Sequence, residues 1–509
     1  MGTKGKLTSV LLALCLVVLS PRALAAGGDD TAALPAADRN GVITLTEDVT
    51  ADGTLTIRGA DALDLAGHTL TVDRLDVETD LTVRDSSRRA RGRITSSESV
   101  TCAVGPGRAL TVESGAIENT CPQGGSAVLS TGTLTVTGGS IIGGQGVRIC
   151  AGELTITGGT VTGTALFDGG DGGVRGAIVA GKDGKGCPGD VTVSVSDGAV
   201  IENTAQGEGL RPAVVVSDQY MADTARQTAQ DPDGARSDQT FTYADTSIAV
   251  LVDGASITGD VVKTSGLTKT AASRDGGDVT LTVQNTAVNG SIVNQSATGL
   301  TVRDATVTGG VTNTGGGSVV VLGNSKVQGQ TVNSGGGLLY VEGAEGQTAA
   351  ALNERAGKAY ASLTDAIDDA RPGDTVTLTA DAALSRTLTL SKDVTLQGDA
   401  AERKLTGAEG KKTGIVVNGA AVTLKGLTIT GLSGDRGVIS IPADAAEGTR
   451  LTALDLNISD FQRAAFELSG GEAEIRGCLI DCGGQETGAR KGFAIDGASV
   501  TIRDTVIQG

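Results

Sequence analysis

Tryptophan is absent from this 509-residue sequence, histidine occurs once, and the aromatics amount to four Tyr and five Phe. A globular enzyme core of this length normally uses bulky aromatic side chains to fill space. This chain must pack instead with Val, Ile, Leu, Ala and Thr in thin, regular layers. The single His68 leaves at most one candidate for imidazole metal chemistry or for a Ser-His-Asp or Cys-His arrangement. Basic residues are also short, with 41 Lys and Arg against 59 Asp and Glu for a net charge of −18. Phosphate backbones are repelled by such a balance, so nucleic-acid binding is excluded as an expectation. What the sequence has in excess is glycine, 77 residues, about twice the usual share.

The N-terminus reads as an export signal over residues 1–26. Lys4 and Lys6 precede an apolar run from Leu7 to Leu19, and Ala23-Leu24-Ala25 supplies the small-x-small cleavage pattern. The run is too short for an ordinary membrane span, and no later stretch could make one. The expected location is therefore secreted and extracellular, at a cell surface. Six cysteines follow the cleavage point: Cys102, Cys121, Cys150, Cys187, Cys478 and Cys482. The even count suits an oxidising exterior and leaves the pairing open.

A short pattern recurs along most of the remaining chain: apolar, x, apolar, x, turn residue, small or apolar, x, apolar. Leu110, Val112, Ser114, Gly115 and Ile117 form one copy, and Leu134, Val136, Gly138, Gly139 and Ile141 another. Later copies include Val193 to Val200 around Asp197, Leu281 to Val288 around Asn285, Leu300 to Val307 around Asp304, Leu451 to Ile458 around Asp455, and Val500 to Ile507 around Asp504. Alternation on each side of the turn marks two short strands with one buried face. Gly, Asn, Asp or Ser fills the turn slot, and these are the residue types that make tight corners. Leu281 and Leu300 are 19 residues apart, Val422 and Leu451 are 29 apart, so a constant motif carries variable spacers. That is the signature of a solenoid whose loops differ in length. One coil buries too few side chains to offset the entropy of ordering its backbone, so each coil needs neighbours.

This two-strand corner resembles the tight turn of pectate-lyase-like proteins over residues 40–509. The resemblance implies an all-β fold, a right-handed parallel β-helix. The stretch Ile43–Val72, with Leu63-Asp64-Leu65-Ala66-Gly67-His68-Thr69-Leu70, is similar to repeats of large secreted surface proteins of Gram-positive gut bacteria. Departures from that group are the missing LPxTG-type sorting motif and surface-layer module. The chain also stops at Gly509 inside a repeat, so it is expected to be a piece of a longer protein or to leave its last coil unprotected.

A second start is expected near Gly346. Ser362 with Asp365 three residues on makes a helix-capping pair, and Leu363, Ala366, Ile367 and Ala370 share one helical face before Pro372-Gly373. A capping helix around 362–370 in mid-chain divides the protein into a first β-helix domain, 27–345, and a second, 346–509. An insertion around 206–246 interrupts the first.

Candidate chemistry is sparse. Asp197, Asp304, Asp455 and Asp504 recur in stacked positions, but in the slot that Gly138 and Asn285 also fill, which points to backbone geometry. Asp168 and Asp171, in a Gly-Asp run, and Asp231 and Asp233, in a run that opens like a calcium loop, are the candidates for Ca²⁺; the runs lack tandem copies and a bidentate Glu, so flexible acidic loops are the preferred reading. Tyr220, Phe241 and Tyr243 on the insertion are the candidates for stacking on sugar rings, or for anchoring the loop. Cys102 and Cys121, one short coil apart, are expected to stack within disulfide reach, whereas Cys478 and Cys482 are expected to be buried thiols. No catalytic residue is assigned. The expected function is a cell-surface structural or adhesin-like protein whose partners are glycans or other surface proteins. Alternatives are a polysaccharide lyase or glycoside hydrolase, the other activities the resemblance implies, and a non-catalytic carbohydrate-binding module.

Overall fold

The protein is described by a computed structural model that covers residues 34–167, 174–181, 189–217, 247–264, 279–342, 349–353, 355–399, 403–432, 434–483 and 490–509. The proposed signal segment, Asp168, Asp171, Asp231, Asp233, Tyr220, Phe241 and Tyr243 lie outside these residues.

The chain folds as a parallel β-helix. Its strands fall into two sets of sheets. Val42 to Val341 build a 12-stranded and a 20-stranded sheet; Ala351 to Gln508 build sheets of eight, six and five strands. The 20-stranded sheet forms two columns, which merge in the long strands Val49–Ile57 and Thr69–Val77. Each coil therefore has three walls, and each strand pairs in parallel with its counterpart on the next coil. The alternation read from the sequence sets the register. Val83, Val112, Val136, Ile156, Val195, Val252, Val283, Val302 and Val321 stack as one inward column. All nine are at most 1% exposed. Shifting any strand by one residue would turn its column outward, so the buried face fixes the register.

The corners come in two forms. In the early coils the left-handed residue is Gly115 (φ 81°), Gly139 (φ 73°) or Gly159 (φ 76°). In later coils it lies one position earlier, at Gly254, Asn285, Asp304, Gly426, Asp455, Gly477 and Asp504. The next residue then turns inward, as Ala255, Ala305, Leu427, Leu456 and Cys478 do, each at most 3% exposed. Asp197 departs from the expectation. Gly198, at φ 92°, takes the left-handed conformation, and the extra residue Ala199 makes Ile201 the inward side chain of the following strand.

The repeat also runs further than the sequence suggests. Pro212–Ser217 is a strand, buried throughout and paired on both sides, with a register shift between Pro212 and Val214, so the repeat extends to Ser217. The run PAVVVS, apolar up to the buried Ser217, lacks the alternation of the other copies because both its faces are buried.

The second set opens with an antiparallel hairpin, Ala351–Asn353 and Lys358–Tyr360, and the helix α1, Leu363–Asp369. Ser362 caps α1 by accepting the Asp365 N–H at 3.1 Å. Leu363, Ala366, Ile367 and Ala370 are buried in the second core. The hairpin lies against the outer surface of the first β-helix. Val320, Leu322 and Tyr340 on that surface pack with Ala349, Leu352 and Ala359. Ser318 Oγ donates to the Ala359 carbonyl at 3.0 Å.

Candidate functional site

Most charged side chains near the corners are used in building the fold. Asp85 is 7% exposed. One of its oxygens accepts N–H groups of Gly67 (2.8 Å) and Ser87 (3.0 Å), the other that of Gly92 (2.6 Å). Burial alone would raise its pKa, but these hydrogen bonds together hold it below the ordinary value. Asp253 accepts from Gln284 at 2.9 Å and Asn285 at 2.8 Å, and these two side-chain amides depress its pKa. His68 donates its backbone N–H to the Leu65 carbonyl at 2.8 Å and closes a turn; its ring lies 3.6 Å from Asp48, and Leu70 is fully buried.

Asp368 and Asp369 serve the cap of the second set. Asp369 accepts from Lys358 at 2.7 Å and from the Tyr360 hydroxyl at 2.5 Å. Lys358 is the main cause of its lowered pKa, and burial with the Asp369 contact pushes Tyr360 up. Asp368 pairs with Arg386 at 3.2 Å. Asp304, Asp455 and Asp504 occupy exposed left-handed corners.

The cysteine pairing does not form. Cys102 and Cys121 are both free thiols. Cys102 lies on Val100–Val104, where its register partners are Leu75 and Val128. Cys121 lies in the turn beyond Ala116–Asn119, a strand of the other column, and contacts Gln123 at 3.4 Å. The 19-residue spacing matches a coil of the short class, yet the coil at Cys102 takes 26 residues to reach Val128. Burial pushes the Cys102 thiol up to about 12. Cys478 is a buried free thiol as expected, and Cys482 is free but only half-buried. Among the described residues no three His, Cys, Asp or Glu side chains are grouped to hold a metal ion.

The site with the most chemistry was missed by sequence reasoning. It lies on the outward face of the eight-stranded sheet, where successive copies bring side chains into rows. Arg450, Glu472 and Ser499 form one row, and Thr452, Glu474 and Thr501 the next. Leu454, Arg476 and Arg503 form the third. Arg450, Thr452, Glu472, Glu474, Ser499, Thr501 and Arg503 line a groove of about 360 Å³. Arg450 reaches Glu472 through Nε at 3.0 Å and Nη2 at 2.7 Å, which neutralises that carboxylate. Arg476 lies 3.8 Å from Asp504. The signal was present in the outward positions of the last repeat copies, where Thr452 is followed by Glu474 and Leu454 by Arg476 and Arg503.

Such a face offers hydroxyl, carboxylate and guanidinium groups in a grid set by strand spacing, about 4.8 Å between rows of coils. It can hydrogen-bond sugar hydroxyls without an aromatic platform. Among the described residues no helix is long and apolar enough to cross a membrane. No family model, no curated protein and no solved structure matches the chain.

Proposed function

We propose that the chain is a secreted, cell-surface structural or adhesin-like protein that contacts glycans and performs no catalysis. The observation that carries this reading is where the recurring acids sit. Asp304, Asp455 and Asp504 occupy exposed corners in a conformation that Gly and Asn share, and none of them lines the groove around Glu474. The mixed grid around Glu474 suits weak, repeated contact with hydroxyl-rich ligands. The purified mature chain should bind members of a glycan array while releasing neither unsaturated sugars nor new reducing ends.

One observation favours a second reading, a polysaccharide-active enzyme. Glu472 and Glu474 enter the same groove as Arg450 and Arg503. Glu472 is tied to Arg450, which leaves Glu474 as the carboxylate best placed for acid or base work. Product formation that disappears in Glu474→Gln would establish that reading over the first.

A further inference from the structure

Positive charge is concentrated in one loop of this acidic chain. Five of the ten residues from Arg84 to Arg93 are arginine, in a protein with net charge −18. The loop joins the strands Leu81–Arg84 and Arg93–Ser96 at a corner of the first set. Arg84 lies 3.4 Å from Asp64, and Arg93 lies 3.4 Å from Glu118. Arg88, Arg89 and Arg91 are exposed, and among the described residues no carboxylate pairs with them.

The backbone presents these three in a fixed arrangement. Asp85 accepts the N–H groups of Ser87 and Gly92, which ties the two ends of the loop together, and Asp64 accepts that of Ser86 at 3.0 Å. A Cβ on Gly92 would collide with Leu65 and Asp85, so only glycine lets the chain return this closely. The Ala90 N–H donates to the Ser87 carbonyl at 3.2 Å, and Ala90 is left-handed at φ 44°. That closes a turn with Arg88 and Arg89 at its central positions. The same corner carries Glu113 on the next coil. The two coils after that carry exposed Thr137 and Thr157 there, each followed by two glycines and no charge.

We propose that this loop docks a flexible polyol-phosphate polymer of a cell surface, with phosphates on Arg88, Arg89 and Arg91 and polyol hydroxyls toward Thr137 and Thr157. Guanidinium groups match phosphate oxygens through paired N–H donors. Threonine hydroxyls both donate to and accept from polyol hydroxyls. A flexible polyanion brings a few phosphates to the loop while its remainder stays clear of the acidic body. Duplex nucleic acid is a stiff rod of dense charge and lacks that freedom. Single-stranded nucleic acid binds through bases stacked on aromatic side chains, and the loop has none. A loop that enters a membrane needs apolar side chains, and between Ser86 and Gly92 the only one is Ala90. The choice of a surface polymer rests on the cell-surface reading above; the charge and geometry of the loop do not.

Calorimetric titration of the full mature chain with poly(glycerol phosphate) over a range of salt concentrations tests this. Three phosphate contacts on a flexible chain predict that log K falls against log salt with a slope of about −2. Arg88→Gln, Arg89→Gln and Arg91→Gln together should weaken binding by about tenfold or more and flatten that slope. Arg89→Gln alone should reduce the slope to about −1.4, and serves as the second variant if the triple change does not fold. A DNA duplex, a single-stranded oligonucleotide and phosphatidylglycerol vesicles, run in parallel, should each bind more weakly than the polymer. Affinity and slope unchanged in the variants, binding of a nucleic acid or of vesicles as tight as that of the polymer, or a dimer in sedimentation that the variants dissolve, would overturn the inference. Array glycans bound while the polymer is ignored would sink this site alone, whereas loop-dependent polymer binding with no glycan bound would sink the glycan-contacting reading alone.

Discussion

The side-chain amide of Asn294 donates to the side-chain carbonyl of Asn313 on the next coil at 3.0 Å. Asn313 repeats the contact to Asn333 at 3.1 Å, and these three residues are register partners in a stacked column. Asn313 also donates to the carbonyls of Gly317 (2.9 Å) and Leu338 (3.2 Å), tying down the glycine-rich turns beside the column. Asn294 and Asn313 are fully buried, whereas Asn333 is exposed. Asn313→Ala should therefore cost about 2–4 kcal/mol, the penalty for buried acceptors left without donors. Asn333→Ala, at the exposed end, should cost under about 1 kcal/mol. Urea unfolding of the two variants checks the ordering; equal losses would contradict a buried ladder.

Lys263 heads the same column as the register partner of Asn294. It is fully buried and donates to the Val279 carbonyl at 2.7 Å and to that of Gly299. Lys263→Met keeps the length of the side chain but removes the donor, and should lower stability by about 2–4 kcal/mol. Thermal unfolding within a degree of the parent would show that these contacts carry no weight.

Much of this fold is legible in the sequence because its determinants are local. The alternation at Val283 or Val302 gives the inward face directly, and Ser362 with Asp365 marks a helix start that the hydrogen bond at 3.1 Å matches. What is not legible depends on how coils of unequal length are brought into register. Cys102 reaches Val128 rather than Cys121 because strand position within the coil, and not spacing alone, decides the neighbour. The rows that join Arg450 to Glu472 and Thr452 to Glu474 are hidden for the same reason. The lateral packing of the hairpin on Val320, Leu322 and Tyr340 does leave a trace, since Val319–Leu322 is apolar at its outward as well as its inward positions, but the run does not say what covers it.

The corner acids should behave as backbone residues. Asp455 is exposed at φ 52°. Asp455→Asn and Asp455→Gly should change stability by less than about 1 kcal/mol, because both residue types tolerate this conformation. Asp455→Val should cost about 1–2 kcal/mol. A large loss in Asp455→Asn, followed by thermal melting, would mean that the carboxylate itself matters.

Thiol chemistry separates the two cysteines that were expected to pair. At neutral pH a thiol reagent should label Cys121 in the folded protein and reach Cys102 only after unfolding. Burial raises the Cys102 pKa to about 12, above the unfolded value of about 8.5. A raised thiol pKa means that its contribution to stability is complete below about 8.5 and is lost as pH rises toward 12. The urea midpoint should fall over that window, and Cys102→Ala should fall less steeply. Rapid labelling of Cys102 in the folded state would contradict its place in the core.

The central claim is that this β-helix binds glycans without transforming them. Incubating the mature chain with the acidic and neutral polysaccharides it retains, while following unsaturated product by absorbance and new reducing ends by titration, tests that claim most directly. The account predicts retention with no product over hours. Steady product release, abolished by Glu474→Gln with retention intact, would contradict it.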